Sequence, residues 1–428
     1  MKKVNNIILA CCFLLLNNSC YKKQEKIYLA PITYSESSSD DYLECKNIPK
    51  SVTYQTNNIQ HIEISDQMNG DINMDSLIET HKYVCLETTS ESLLGNIDKL
   101  CYDDGMLFVF DRENNIVLSF TENGKFCNKI SQKGRGPMEY IELTDISINP
   151  YSKELCLLDL SGGKILTFDY QGNYKDGKPL FYYYGGLEFS KKHIYMSTGF
   201  TGNTRVPTID CNRVIIANHS QEPLFKAFPY KEELRYSFHW EDYRAIQSFD
   251  NNIYFHHSLS DTIWEIKDSL CVARFLIDFT KRGKLFKDEE WNTMTDEKYT
   301  KLKDNKRYFS GKYLISGSWL YASITNPNKM VTPLLYNFKT KQKKYGYFSS
   351  SNNNFYIQLL YNSLDFSLGK NRFVKVIQPF ETKRYLQQLK KLGIKNQLSS
   401  TENKLFNKIL KEEDNPVLLI IQFKEKEL

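Results

Sequence analysis

Few residues in this chain combine the type and the spacing that chemistry requires. His256 and His257 are adjacent, with Asp261 close behind. On a strand end, neighbouring side chains point to opposite sides, so at most one histidine can face a common site. A metal would need further ligands from elsewhere, and no spacing marks them. No Gly-x-Ser-x-Gly, His-Glu-x-x-His or paired Cys/His arrangement is present. The reading is therefore no catalytic residue, no metal and no cofactor. Better candidates lie in Lys133-Gly134-Arg135-Gly136-Pro137-Met138-Glu139-Tyr140. There, glycines permit the positive φ that a crossing between structural units needs, and Arg135, Glu139 and Tyr140 can project as ligand groups. A strand rather than a helix follows, which excludes a dinucleotide fingerprint. With Arg112, Arg205 and His257 these residues form the candidate ligand-binding set. Three arginines favour an anionic or polyhydroxylated ligand. Asp111 and Asp159 read as caps that accept backbone N–H bonds at their own corners. The run Phe181-Tyr182-Tyr183-Tyr184-Gly185-Gly186 offers either a stacking surface for a sugar or peptide or the packing of an outer strand.

The elements that must position these residues come from one unit written twice. Leu107-Phe108-Val109-Phe110-Asp111 is answered by Leu155-Cys156-Leu157-Leu158-Asp159, and Asn123-Gly124 by Gln171-Gly172, each at an offset of 48. Short apolar runs rich in Val, Ile, Leu and Phe, broken by turn residues at a fixed period, indicate a four-stranded propeller blade. Blade one is expected at 96–101, 106–111, 116–121 and 126–131. Blade two is expected at 144–149, 154–159, 164–169 and near 178–184. Blades three to five decay but remain legible from Gly186 to Phe348. Blade six is expected at 359–366, 372–377 and 417–423, one strand short, and Tyr83–Glu87 is the strand expected to fill the gap and close the ring. Ile62 and Ile64 mark an edge strand. A charged insertion spans 281–306. A helical insert covers about 380–414, with a capping box at Ser399–Glu402. The fold expected is all-β: a six-bladed propeller of four-stranded blades, closed by an N-terminal strand, with a C-terminal helical insert.

Strand order then sorts the loops. The second-to-third corners and the outer-to-next-inner crossings share one face. That face collects the candidate residues, both insertions and the long 199–213 loop, and the opposite face receives short turns. Long loops on one face of a rigid repeat are where binding is expected, with the helical insert overhanging the pore mouth.

The chain has 428 residues, 41% hydrophobic and 25% charged, with 29 Tyr and 26 Phe, rings suited to filling wedges between blades. Lys2 and Lys3 precede ten apolar residues, Ile7–Leu16, too few to span a bilayer but the length of a signal-peptide core. Ser19-Cys20 follows and resembles a bacterial lipoprotein cleavage site, with Cys20 acylated; Asn17 departs from the leucine usual there. The expected division is a signal peptide over 1–19, a flexible tether over 20–58 and the propeller over 59–428. Removing 1–19 lowers the formal charge from +5 to +3, which argues against nucleic acid as a partner. The cysteines after Cys20 are scattered and odd in number, and Cys85, Cys101 and Cys156 read as small hydrophobes inside strands.

Gly134-Arg135-Gly136-Pro137 with Glu139-Tyr140, followed by Leu157-Leu158-Asp159 and Ile165-Leu166-Thr167-Phe168-Asp169, resembles the NHL-repeat pattern. Together with Tyr83–Thr89, Leu94–Ile97 and Asn415–Leu419, the chain resembles the six-bladed β-propeller lipoproteins of Bacteroidetes over about 60–424. The resemblance implies the fold and a lipid-anchored place in the cell envelope, periplasmic or surface-facing. It implies little chemistry. Two functions are open at this level. One is a binding or scaffold module for a glycan, peptide or protein; the other is a lyase or hydrolase working at the pore mouth.

Overall fold

The computed structural model describes residues 47–65, 70–235, 244–256, 260–279, 301, 306–327, 329–391 and 398–425. Residues 1–19, Cys20, most of the tether, His257 and nearly all of the 281–306 insertion lie outside them.

Six sheets stand around one axis. Blade one is built from Lys99–Asp103, Met106–Asp111, Ile116–Thr121 and Phe126–Ile130, and blade two from Leu143–Asn149, Glu154–Asp159, Lys164–Asp169 and Tyr174–Pro179, each antiparallel in chain order. The 48-residue period is thus a blade, and the second and third strands fall where the sequence places them. Blades three, four and five follow from Gly186–Phe189, Ile246–Phe249 and Tyr308–Ser316 as inner strands. In blade six, Phe366–Gly369, Arg372–Ile377 and Val417–Phe423 are joined by Ile78–Cys85 as the outer strand, with Leu418 opposite Val84. The two ends of the chain close the ring.

Two strand expectations are corrected. Blade two's outer strand is Tyr174–Pro179, directly after the Gly172 turn, and not the aromatic run near 178–184. Tyr182 and Tyr184, at 1% and 0% exposure, pack between blades two and three in the crossing that follows. Blade six's inner strand begins at Phe366 and not at Leu359, because Tyr361 and Asn362 both adopt positive φ and turn the chain after a short helix, Phe355–Gln358.

Apolar residues on both strand faces fill the wedges between blades. Phe108, Phe110, Leu157 and Phe168 form the wedge between blades one and two, and Val84, Leu107, Leu118 and Leu418 form the one between blades six and one. Burying one such side chain contributes about 1.5–3 kcal/mol. The blade-one turn docks against blade six so closely that a Cβ at Gly124, φ +88°, would stand 2.1 Å from the Cys85 carbonyl oxygen. Only glycine fits there.

The stretch expected as tether does not end free at residue 58. Lys50–Ser51 runs parallel to blade three's outer strand, Pro223–Pro229, and Thr53–Gln55 and Gln60–Glu63 run parallel to blade four's, Leu270–Asp278. Ile72–Asn73 then pairs with Phe348–Ser349 beside blade five. This strap covers outer edges that would otherwise offer unpaired N–H and C=O groups. It begins at the short-turn face, where the Asn47 amide donates to Glu222.

Candidate functional site

An axial cavity of about 580 Å³ runs along the inner strands. Asp104, Gly105, Asp250, Asn251 and Lys370, which line one end, sit in the turns between inner and second strands. By strand direction these turns belong to the short-turn face, so the cavity's rim lies opposite the face on which binding was expected. Three of the turns are tight because both central residues take positive φ: Asp104-Gly105, Asp250-Asn251 and Lys370-Asn371.

The other end of the cavity is a ring of charge to which each blade contributes one residue, at or just before its inner strand: Lys99, Asp145, Glu188, Arg244, Lys312 and Asp365. Three are cations and three carboxylates. Lys99 Nζ lies 3.0 Å from Asp145 and 3.2 Å from Glu188, joining blades one, two and three. Ser147 Oγ donates to the second Glu188 oxygen at 3.0 Å. Across the axis, Asp365 is 3.1 Å from Lys312 and 3.2 Å from Lys375. Arg244 reaches from blade four to the opposite side, donating to the Asp98 carbonyl and lying 5.3 Å over the Phe366 ring.

Burial alone would lower the pKa of the Lys99 ammonium, but Asp145 and Glu188 hold it above its ordinary value. Burial pushes the Glu188 carboxyl up, Asp145 adds to this, and Lys99 offsets only part of it. Burial also opposes ionisation of Asp365, yet Lys375, Lys312 and the Val376 N–H hold its carboxyl below the usual range. The Lys312 ammonium is lowered, chiefly by burial. Cys101, on the wall, is pushed up to about 12 by burial and is an unreactive thiol. Between ring and rim the wall carries neutral hydrogen-bonding groups, Gln247, Ser248 and Ser367, with Asn251 at the rim itself, and the Tyr102 ring, on which the Arg372 guanidinium stacks at 4.9 Å.

None of the sequence-derived candidates among the described residues lines this cavity. Tyr140 is fully buried, and its hydroxyl donates to the carbonyls of Asn115 and Ile130, so it is a packing residue rather than a ligand group. Glu139 is turned into its own loop, accepting the Gly136 N–H at 2.8 Å; a Cβ at Gly134 would stand 1.9 Å from its carboxylate, which explains that glycine. Arg112 is half-buried at blade one's corner over Phe110, and Arg205 is half-buried in the 199–213 loop. Arg135 is exposed and lines a separate cleft on blade two. The three arginines do not converge, and His257 lies outside the described residues.

His256 is buried, its Nε2 2.7 Å from the Ser260 carbonyl oxygen and its ring 4.6 Å from Phe309. Burial pushes its pKa down to about 4, so it is a neutral core histidine. Asp111 and Asp159 cap their corners as expected and also hold the incoming crossings: Asp111 accepts from Asn114 and Gly95, and Asp159 from Gly162 and Ile141. The sequence carries a signal for the axial ring, a charged residue followed by an apolar one within or just before each inner strand, as in Lys99-Leu100, Asp145-Ile146 and Glu188-Phe189.

Among the described residues, the helical insert does not overhang the pore. Its helices, Pro379–Lys391 and Ser400–Lys404, pack at the perimeter. Tyr83 of blade six's outer strand donates to Glu402 at 2.6 Å and meets Phe406 edge-on at 5.4 Å, and Phe355 stacks beside Tyr385. Among the described residues no cluster of three or more His, Cys, Asp or Glu could hold a metal, and no helix is long and apolar enough to cross a membrane.

Fold and axial cavity define a six-bladed β-propeller with a charge-compensated core and a polar mouth. The chain belongs to the family described as Domain of unknown function (DUF4934), whose sequence model matches residues 59–422. A structure from Bacteroides fragilis, of a protein described as exported, shares the fold with TM-score 0.67 at 17% identity, over 85% of this chain and 100% of that one. A member of the DUF4221 family from Bacteroides vulgatus aligns with TM-score 0.43 at 11% identity, over 81% of this chain and 97% of that one. No curated protein matches significantly.

Proposed function

We propose that this chain is an extracytoplasmic binding module, lipid-anchored through Cys20, that admits a small neutral, polyhydroxylated ligand such as a saccharide into its axial cavity. The observation that carries the reading is the cavity itself. Its volume, about 580 Å³, is that of a small-molecule site. Its inner end is neutralised by its own ion pairs, so an added charge gains no unpaired partner there and still loses its water. The neutral donors and acceptors of Gln247, Ser248, Asn251 and Ser367 match hydroxyl groups. The signal-like start and the likeness to a protein described as exported support the location. The 27 positions from Cys20 to Asn47 reach up to about 90 Å when extended, enough for the short-turn face to stand clear of a membrane.

The test is occlusion. Ser248 is exposed on the wall, so Ser248→Trp fills the cavity without entering a blade wedge. Neutral mono- and disaccharides are screened by saturation-transfer NMR against wild type and variant. The expected result is transfer to at least one sugar in wild type, lost in the variant at an unchanged melting temperature. Absence of any sugar signal, or a signal indifferent to Ser248→Trp, defeats the reading.

A further inference from the structure

A second cavity, of about 570 Å³, lies on the outer rim of blade two at the long-loop face, between the Gly134–Tyr140 crossing, the Ser161–Gly163 corner and the outer strand. Its lining includes Arg135, Lys164 and Lys178 and no aspartate or glutamate. In a chain of nearly balanced charge, three cations with no lining carboxylate are a local excess. We infer that this cleft binds a small organic anion, a ligand with a carboxylate or sulfate group on a larger polar body.

The excess is built by the loop. Glu139, three residues from Gly136, is folded inward onto its N–H, and Asp159 is occupied by the N–H groups of Ile141, Glu142 and Gly162. Those two acids are thereby spent on backbone, while Arg135 stays exposed and Glu142 stands just outside the lining, accepting from Ser161 at 3.4 Å. Lys164 Nζ donates to the Gly136 carbonyl at 2.7 Å, holding the loop against the blade and placing its charge at the cleft wall. Lys178 is half-exposed, and its nearest carboxylate, Asp176, is 3.8 Å away and equally exposed, an ion pair of little strength. The Arg135 fork suits a planar or tetrahedral oxyanion bidentately, and the Ser161 hydroxyl and Tyr174 add polar and ring surface. A bare ion would occupy a small part of this volume, so the anion belongs to a larger molecule.

The experiment is titration calorimetry at low ionic strength with three probes: D-glucuronate, inorganic sulfate and glucose. Wild type is compared with Arg135→Gln/Lys178→Gln and with Lys191→Gln/Lys192→Gln, a basic pair on a blade-three turn outside the cleft. The expected result is that glucuronate binds more tightly than sulfate, weakens as salt is added, and loses at least about tenfold in affinity in the cleft variant only. Both cleft residues are exposed, and an unchanged melting temperature certifies the fold. No glucuronate binding, or an equal loss in the blade-three variant, overturns the site; sulfate binding as tightly as glucuronate overturns the organic ligand. Ser248→Trp leaves this binding unchanged, so failure here and failure of the axial site are separable.

Discussion

Lys99 pairs with two carboxylates that come from two other blades, and all three side chains are largely buried, at 20%, 10% and 8% side-chain exposure. Removing the cation leaves Asp145 and Glu188 facing each other without compensation. Breaking a buried pair in this way costs about 3–5 kcal/mol, more than the pair adds when intact. Lys99→Met is therefore expected to lower the urea midpoint sharply, and Lys99→Met/Glu188→Gln to recover part of the loss. The sign with pH follows. Burial already raises the Glu188 carboxyl with Lys99 present, and removing the cation raises it further. A group with a raised folded-state pKa contributes stability at low pH that is lost as pH rises, so the deficit should grow between pH 5 and pH 8. Equal deficits at both pH values would show that the ring is not electrostatically coupled.

At the scale of elements, the helical insert and blade six's outer strand form one packed unit. Glu402 is 3% exposed; one oxygen accepts from Tyr83 and the other closes the capping box with Ser399. Tyr83→Phe removes the first bond and leaves a buried carboxylate oxygen unpaired, at a cost of about 1–3 kcal/mol. The insert should then be cut by protease earlier than in wild type, while the six blades remain protected. Simultaneous loss of the blades would show that insert and ring are a single cooperative unit.

For the whole molecule, closure and edge protection both depend on the N-terminal strap. A chain beginning at residue 57 loses the strap strand on blade three, the first of the two on blade four and the buried Val52, yet keeps Gln60–Glu63 and Ile78–Cys85. It is expected to fold but to associate through the uncovered strand Pro223–Pro229. A chain beginning at Glu87 lacks blade six's outer strand and is expected to aggregate outright. Size-exclusion chromatography with light scattering distinguishes the two, and a monodisperse monomer from the second chain would refute the closure argument.

The ring was written in the sequence because its local signals agree with one another: the 48-residue period, the apolar strands and the missing strand of blade six, which 83–87 can supply. Where local signal was weak, tertiary structure decided. Tyr174–Pro179 is polar because both faces of an outer edge strand meet water, so no hydrophobic alternation marks it. Leu359–Phe366 is apolar enough for a strand, yet burial under the helical insert and two positive-φ residues turn it into something else. The strap pairs with strands 175 to 276 residues away, a distance over which pattern carries no register. The charged ring is the clearest case. Each member reads alone as a charged residue at a strand end, and the six lie 43 to 68 positions apart. Only closing the propeller brings their side chains within ion-pair distance, and with them the axial cavity whose inner end they form.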